Sequence, residues 1–244
     1  MKWELKNYDE NYLTSKSSEF GESRLISRLL LNRGINTKEK VSKFLNSDEK
    51  DIHNPFLFEN MEKVVKRIQQ AGKNKEKIVV YGDYDVDGIS GVAYLVIMLR
   101  KLGLNVDYYI PNRVHEGTGI NKHVLTFLKN RETKLFITVD TSINDYDEIL
   151  MLKNIGVDII ITDHHRQIGV FENKDVEKEL NILTINPKTS KTYPNKYLSG
   201  SGVAFKLADA VYEKYGVNKK MLYDYLDIIM IGTVADVVPM TDEN

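Results

Sequence analysis

The chain reads as an α/β protein: a parallel sheet flanked by helices, preceded by a small helical lobe. Two observations predict this. From Lys77 onward, short apolar runs of strand length alternate with amphipathic segments of helical spacing, and strands alternating with helices imply crossovers and a parallel sheet. Before that point the apolar residues recur only at helical spacing. The expected division is residues 1–72 for the lobe and 73–244 for the main domain.

The lobe comes first. Ser23 to Leu31 carries apolar residues at helical spacing and Gly34 ends it, while Thr37 is placed to cap a helix over Lys38 to Asn46 with Val41, Phe44 and Leu45 on one side. Asn54-Pro55 marks a turn. Met61 to Ala71 is a further amphipathic helix closed by Gly72. The main domain then opens with strand Lys77 to Tyr81, helix Ile89 to Leu102 with Gly103 beyond it, and strand Val106 to Ile110. Helix Val124 to Asn130, strand Leu135 to Val139, helix Tyr146 to Asn154 and strand Asp158 to Ile161 follow. Ile182 to Ile185 is a last strand. Val203 to Tyr215 and Met221 to about Thr233 are helices.

Composition bounds the function loosely. Apolar residues make up 42% and charged ones 28%, with 34 Lys+Arg against 35 Asp+Glu for a net charge of −1. A nucleic-acid-binding domain usually shows a basic surplus, so any basic surface is local or lies outside this chain. Cysteine is absent, which excludes disulfides and thiolate metal sites. The apolar runs are too short to span a membrane, and the start Met1-Lys2-Trp3-Glu4 has no secretory h-region. A cytoplasmic location is expected.

In an open parallel sheet, ligands bind beyond the carboxyl ends of the strands. Three strands run into polar clusters: Gly82-Asp83-Tyr84-Asp85-Val86-Asp87-Gly88, Asp140-Thr141, and Thr162-Asp163-His164-His165. Gly232-Thr233-Val234-Ala235-Asp236 interrupts the last helix. Taken singly, each could be no more than turn formers and helix caps. Together, three acidic strand ends on one rim, one with paired histidines, favour a cation. Crowded carboxylates repel one another unless a cation sits among them, and oxygen and imidazole donors without sulfur suit Mn²⁺ or Mg²⁺. An Asp-x-Asp pair can serve two ions about 3.5–4 Å apart, the usual device for phosphoester hydrolysis. A haloacid-dehalogenase reading of the pair leaves the histidines unexplained. Neither a Walker A loop nor a G-x-G-x-x-G fingerprint is present. Gly200-Ser201-Gly202 opens a helix and could offer amides to a phosphate, or could serve only helix packing.

GDYDVDG, VDT, the literal DHH at Asp163-His164-His165 and GTVADVVPM, in that order, resemble the DHH phosphoesterase superfamily. LLLNRGI (Leu29 to Ile35), IPNR with EG-x-G-x-N (Ile110 to Asn121) and SG-x-GVAFKLADA (Ser199 to Ala210) are similar to its RecJ-like branch, single-stranded-DNA-specific exonucleases. The resemblance runs from about residue 20 to the end. It implies two divalent ions, with Asp85 and Asp87 on one each, Asp140 bridging, His164 as a ligand and Asp236 completing the second site. His165 would face the scissile phosphate, as would backbone of Gly200, Ser201 and Gly202. Asp163 would orient the pair, Asp83 would be a ligand or support one, and Arg113 would contact a DNA phosphate. The implied reaction is metal-dependent 5′-to-3′ release of 5′-mononucleotides from single-stranded DNA, in recombination and repair. A single-stranded-DNA-binding protein and a helicase are candidate partners. A small-substrate DHH phosphoesterase (an oligoribonuclease or cyclic-dinucleotide phosphodiesterase) is the first alternative, and an inactive DHH scaffold of replication the second.

The chain departs from the family pattern in four ways. Tyr81 stands where many DHH enzymes have a histidine, Ser142 where a glycine is usual, and Thr118 where a tyrosine is common. The chain also stops at Asn244, so the DHH-associated and OB-like domains of RecJ proteins are expected to be absent from it.

Overall fold

The computed structural model describes residues 6–117 and 119–244. Its residues fall into two compact units, one of residues 1–53 with 241–243, the other of residues 54–240 with 244.

The smaller unit holds helices α1 (Glu10–Phe20), α2 (Arg24–Asn32) and α3 (Lys38–Leu45). Each is capped as its sequence dictates: Asp9, Ser23 and Thr37 accept amides of their first turns, and Gly21 closes α1 in the left-handed region that glycine adopts without penalty. Leu13, Phe20, Leu30, Leu31 and Val41 form its small core.

The larger unit holds α4 (Met61–Lys73), β1 (Lys77–Gly82), α5 (Val86–Lys101), β2 (Val106–Tyr109), α6 (Lys122–Asn130), β3 (Thr133–Val139), α7 (Tyr146–Asn154) and β4 (Asp158–Thr162). After these come α8 (Lys174–Glu179), β5 (Leu183–Ile185), α9 (Gly200–Tyr215), α10 (Lys220–Tyr223) and α11 (Leu226–Ala235). The five strands form one sheet, parallel throughout, in the order β2-β1-β3-β4-β5. The expected fold class is therefore borne out. Strands buried on both faces need continuous apolar sequence, and Ile78-Val79-Val80-Tyr81 and Ile159-Ile160-Ile161 supply it, at 0–2% exposure. Val79, Tyr81, Phe136, Ile159 and Ile161 pack on one face against Val124 and Leu128 of α6 and Ile149 and Leu152 of α7. Helices α5, α9 and α4 pack together and against the strands, and α11 rests on α5 and α9.

The division between units lies at residue 53, not at the expected residue 72. Met61, Val64, Val65, Ile68 and Ala71 of α4 are all buried, and that helix packs on α9, β3 and β5. Its amphipathic stripe belongs to the sheet's core. Several element limits also differ from those expected. Helix α5 begins at Val86 because Asp85 caps it, with Oδ1 2.9 Å from the Gly88 amide. The expected single helix over Met221 to Thr233 is two, α10 and α11, and α8 had no counterpart in the sequence reading. Among the described residues no helix is long and apolar enough to cross a membrane.

Candidate metal centre

Chain order reverses between β1 and β3, where β2 is laid on one side and β4 and β5 on the other. That switch point leaves a crevice beyond the carboxyl ends of the strands, and the acids fall there. Asp87 lies in the first turn of α5, 1% exposed. Asp140 follows β3 and is 2% exposed, with its backbone held in the left-handed region (φ 62°) and its amide bonded to the Thr162 carbonyl. His164 follows β4 at 5% exposure, and Asp236 caps the end of α11.

The side chains converge. His164 Nε2 lies 3.0 Å from Asp140 Oδ1, 3.6 Å from Asp236 Oδ2 and 3.9 Å from Asp87 Oδ2. Two groups of potential ligands result, Asp140–His164–His165 and Asp87–His164–Asp236, and they share His164. Burial, then the charges of Asp87, Asp85 and Asp163, push the Asp140 carboxyl up to about 10. Burial raises Asp236 and Asp83 as well. Both ring nitrogens of His164 and Oδ1 of Asp140 are buried and make no well-aligned hydrogen bond, even though Nε2 and Oδ1 lie 3.0 Å apart. Buried polar atoms are nearly always satisfied. A divalent cation would satisfy this set: it accepts imidazole and carboxylate together and reverses the mutual repulsion of the acids. The chain thus carries groups that could hold a metal ion.

Asp163 is buried and acts on the backbone and on His165. Its Oδ1 accepts the amides of His164 (2.7 Å) and His165 (3.0 Å) and lies 2.8 Å from His165 Nδ1, while Oδ2 accepts the Ile143 amide at 3.0 Å. Burial opposes its ionisation, but the His165 ring and those amides hold the carboxyl below the usual range. The same hydrogen bond raises His165, whose side chain is 55% exposed. Asp85 lies outside both ligand groups, exposed at the helix cap. Asp83 accepts the Tyr84 amide at 2.7 Å. Arg113 lies with its guanidinium carbon 5.2 Å from the Tyr84 ring centre.

The amides of Gly200, Ser201 and Gly202 are engaged within the protein. Gly200 and Ser201 donate to Asp87, at 2.5 and 2.9 Å, and Gly202 donates to Ser199 Oγ at 3.0 Å. The helix terminus is satisfied by the protein's own carboxylate and cap, so the turn fixes Asp87. A Cβ at Gly200 would lie 2.4 Å from Asp140 Cβ, which is why glycine stands there.

The departures also have local accounts. Tyr81 is buried, and its hydroxyl donates to the Gly119 carbonyl. It ties the loop after β2 to the sheet and belongs to neither ligand group. Ser142 has φ 78°, the conformation that makes glycine usual there. Thr118 lies outside the described residues. Three supporting residues escaped the sequence reading. Tyr84 was passed over between the acids. Ser199 links Ser201 and Thr233 through hydroxyl contacts of 2.9 and 3.0 Å beneath Asp87. Asn186 donates to the His165 carbonyl at 2.9 Å. It follows β5 as the acids follow the other strands, and that was the available signal.

Residues 77–233 match the family profile described as DHH family, N-terminal domain. The single-stranded-DNA-specific exonuclease RecJ of Bacillus subtilis (strain 168) is 39% identical over 100% of this chain and 30% of its own length. Its counterpart in Haemophilus influenzae is 34% identical over 90% of this chain and 38% of its own. This chain therefore spans about a third of the length of these relatives. A crystal structure of exonuclease RecJ bound to manganese superposes with TM-score 0.67 and 31% identity, covering 78% of this chain and 46% of that one. RecJ of Thermus thermophilus in complex with Mn²⁺ gives 0.71 and 26%, covering 96% and 31%.

Proposed function

Since the chain belongs to the DHH family, we propose that it is the catalytic part of a metal-dependent exonuclease that hydrolyses single-stranded DNA from the 5′ end to 5′-mononucleotides. The observation that carries this reading is the pair of ligand groups sharing His164, with buried ring nitrogens and carboxylate oxygen that make no aligned hydrogen bond, at the sheet's switch point. Similarity to RecJ along the whole chain supports the choice of substrate.

In this proposal Asp85, Asp87, Asp140, His164 and Asp236 would hold two divalent ions, Mn²⁺ or Mg²⁺. When bound, such ions supply Lewis acidity that ionises water and offsets charge on phosphoryl oxygens. The chain's own residues do the rest. Asp87 is locked by the amides of Gly200 and Ser201, which keeps its position when the other acids are neutralised. Asp163 orients His165 by accepting at Nδ1, leaving Nε2 of the exposed ring for the phosphate. The hydrogen bond to Asp163 raises the pKa of His165 above its ordinary value, which favours a second proton, on Nε2. That proton stabilises charge on a phosphoryl oxygen or passes to the leaving oxygen. Arg113, held over Tyr84, adds a fixed cation for a neighbouring phosphate. Asp83 supports the turn that carries Asp85.

The test is hydrolysis of labelled single-stranded DNA and RNA of equal sequence, with Mn²⁺ and with Mg²⁺, using Asp140→Ala as control. Mononucleotides from DNA, lost in the variant, are expected. Cleavage confined to dinucleotides or cyclic dinucleotides, or no hydrolysis by a metal-loaded chain, overturns the proposal.

A further inference from the structure

On the outer side of β5 lies a cavity of about 450 Å³, walled by the start of α4, by α8 and by the loop after β5. That size suits a small organic ligand. β5 is the sheet's last strand, and its outward carbonyl, at Thr184, accepts Asn60 Nδ2 at 3.1 Å. Thr184 itself lines the cavity at 8% exposure, and its Oγ1 lies just beneath that wall without a hydrogen-bond partner. A buried hydroxyl without a partner is unfavourable unless something answers it.

The charges in the wall point to the class of that ligand. Its two acids are already engaged: Glu59 accepts Ser190 Oγ and the Lys191 amide, each at 2.6 Å, and Glu177 accepts Gln167 Nε2 at 3.0 Å. Lys63 and Lys191 also line the cavity. No ion pair holds either among the described residues. Engaged acids, two unpaired ammonium groups and an unanswered hydroxyl form a site for an anion that also carries hydrogen-bonding groups. The cavity adjoins the catalytic rim, because Asn186 lines it and donates to the His165 carbonyl.

We infer that this cavity is a nucleotide site, taking a nucleoside monophosphate unit with its phosphate on Lys63 and Lys191 and a sugar or base group on Thr184. The choice of a nucleotide among anions rests on the nuclease reading above. Two sources offer the same chemistry, a released mononucleotide and a nucleotide of the strand itself.

Titration calorimetry with dTMP on the wild-type chain in excess chelator tests it, since without divalent ions the metal centre cannot recruit the phosphate. Saturable dTMP binding is expected, with thymidine at least tenfold weaker. Lys63→Glu/Lys191→Glu should weaken dTMP at least tenfold with an unchanged melting temperature, as both side chains are exposed. Thr184→Val should weaken it severalfold. A 5′-hydroxyl hexathymidylate that displaces dTMP assigns the site to the strand; one that does not assigns it to free nucleotide. Absence of dTMP binding to the wild type, or binding untouched by the lysine changes, overturns the inference. Hydrolysis plays no part in the readout, so a chain that digests DNA but ignores dTMP refutes only the cavity. A chain that binds dTMP but cuts nothing refutes only the nuclease reading.

Discussion

Replacing Gly200 with alanine adds one methyl group at the point where α9 meets the acids. The new Cβ would lie 2.4 Å from Asp140 Cβ and 2.6 Å from its Cγ. Relief to 3.0 Å, the practical floor for such contacts, requires a displacement of about 0.6 Å. Either Asp140 moves or the start of α9 does. The helix cannot move freely, because the Gly200 and Ser201 amides are bound to Asp87 at 2.5 and 2.9 Å. Overpacking of this kind costs about 1–3 kcal/mol, and a weakened hydrogen bond to a carboxylate adds about 1 kcal/mol or more. Alanine's better helix propensity returns at most about 1 kcal/mol. The net is destabilisation of about 2 kcal/mol, or roughly 1 M in the urea midpoint. Metal sites tolerate ligand shifts of only about 0.2 Å, so Mn²⁺ affinity should fall at least tenfold. Gly202→Ala is the control. Its Cβ meets nothing closer than Leu198 Cδ2 at 3.3 Å and Ser199 Oγ at 3.4 Å, so mild crowding is set against better helix propensity and the stability should change by no more than about 1 kcal/mol in either direction. Equal urea midpoints and equal Mn²⁺ isotherms for the two variants would refute the argument.

Three further outcomes follow from the site. Asp140, at about 10, binds its proton far more tightly folded than at the ordinary 3.8; its stabilising contribution is full below about pH 4 and is lost as pH rises toward 10. In chelator, the wild type should therefore lose stability from pH 5 to 9 more steeply than Asp140→Asn, and parallel pH profiles in urea denaturation would count against the burial account. His165→Ala should cut turnover about a hundredfold or more while calorimetric Mn²⁺ affinity falls far less than in His164→Ala; equal losses would mean their roles are exchanged. Tyr81→Phe should leave Mn²⁺ binding unchanged and speed amide hydrogen exchange around Gly119, whereas weakened metal binding would place the hydroxyl in the metal centre.

The sheet was legible because its strands are buried on both faces and so read as unbroken apolar runs, Ile159 to Ile161 being the plainest. The acids were legible because a strand end leaves them little other purpose in numbers. What stayed hidden was long-range pairing. Nothing near Asp87 in sequence says that its partners are amides more than a hundred residues away, so the sequence of the Gly200–Gly202 turn suggests phosphate binding or helix packing and not a hold on Asp87. The assignment of α4 failed for a related reason: an amphipathic stripe shows that a helix packs but not against what. Ser142 and Asp140 show φ of 78° and 62°, and only the first was flagged, through the glycine expected there.

The two ligand groups draw on chain segments as distant as residues 87 and 236 and share His164 between them. Asp140, His164 and His165 follow β3 and β4, but Asp87 and Asp236 bring in α5 and the end of α11, so the second group closes only when both are in place beside β4. A cation that binds only the completed arrangement acts as a remote fastener on the fold, worth about 2.7 kcal/mol at a hundredfold excess over its dissociation constant. Divalent ion concentration would then set how often the C-terminal helix of the unit comes loose. Resistance to proteolysis near Asp236 becomes a reading of metal supply, independent of any reaction the site performs.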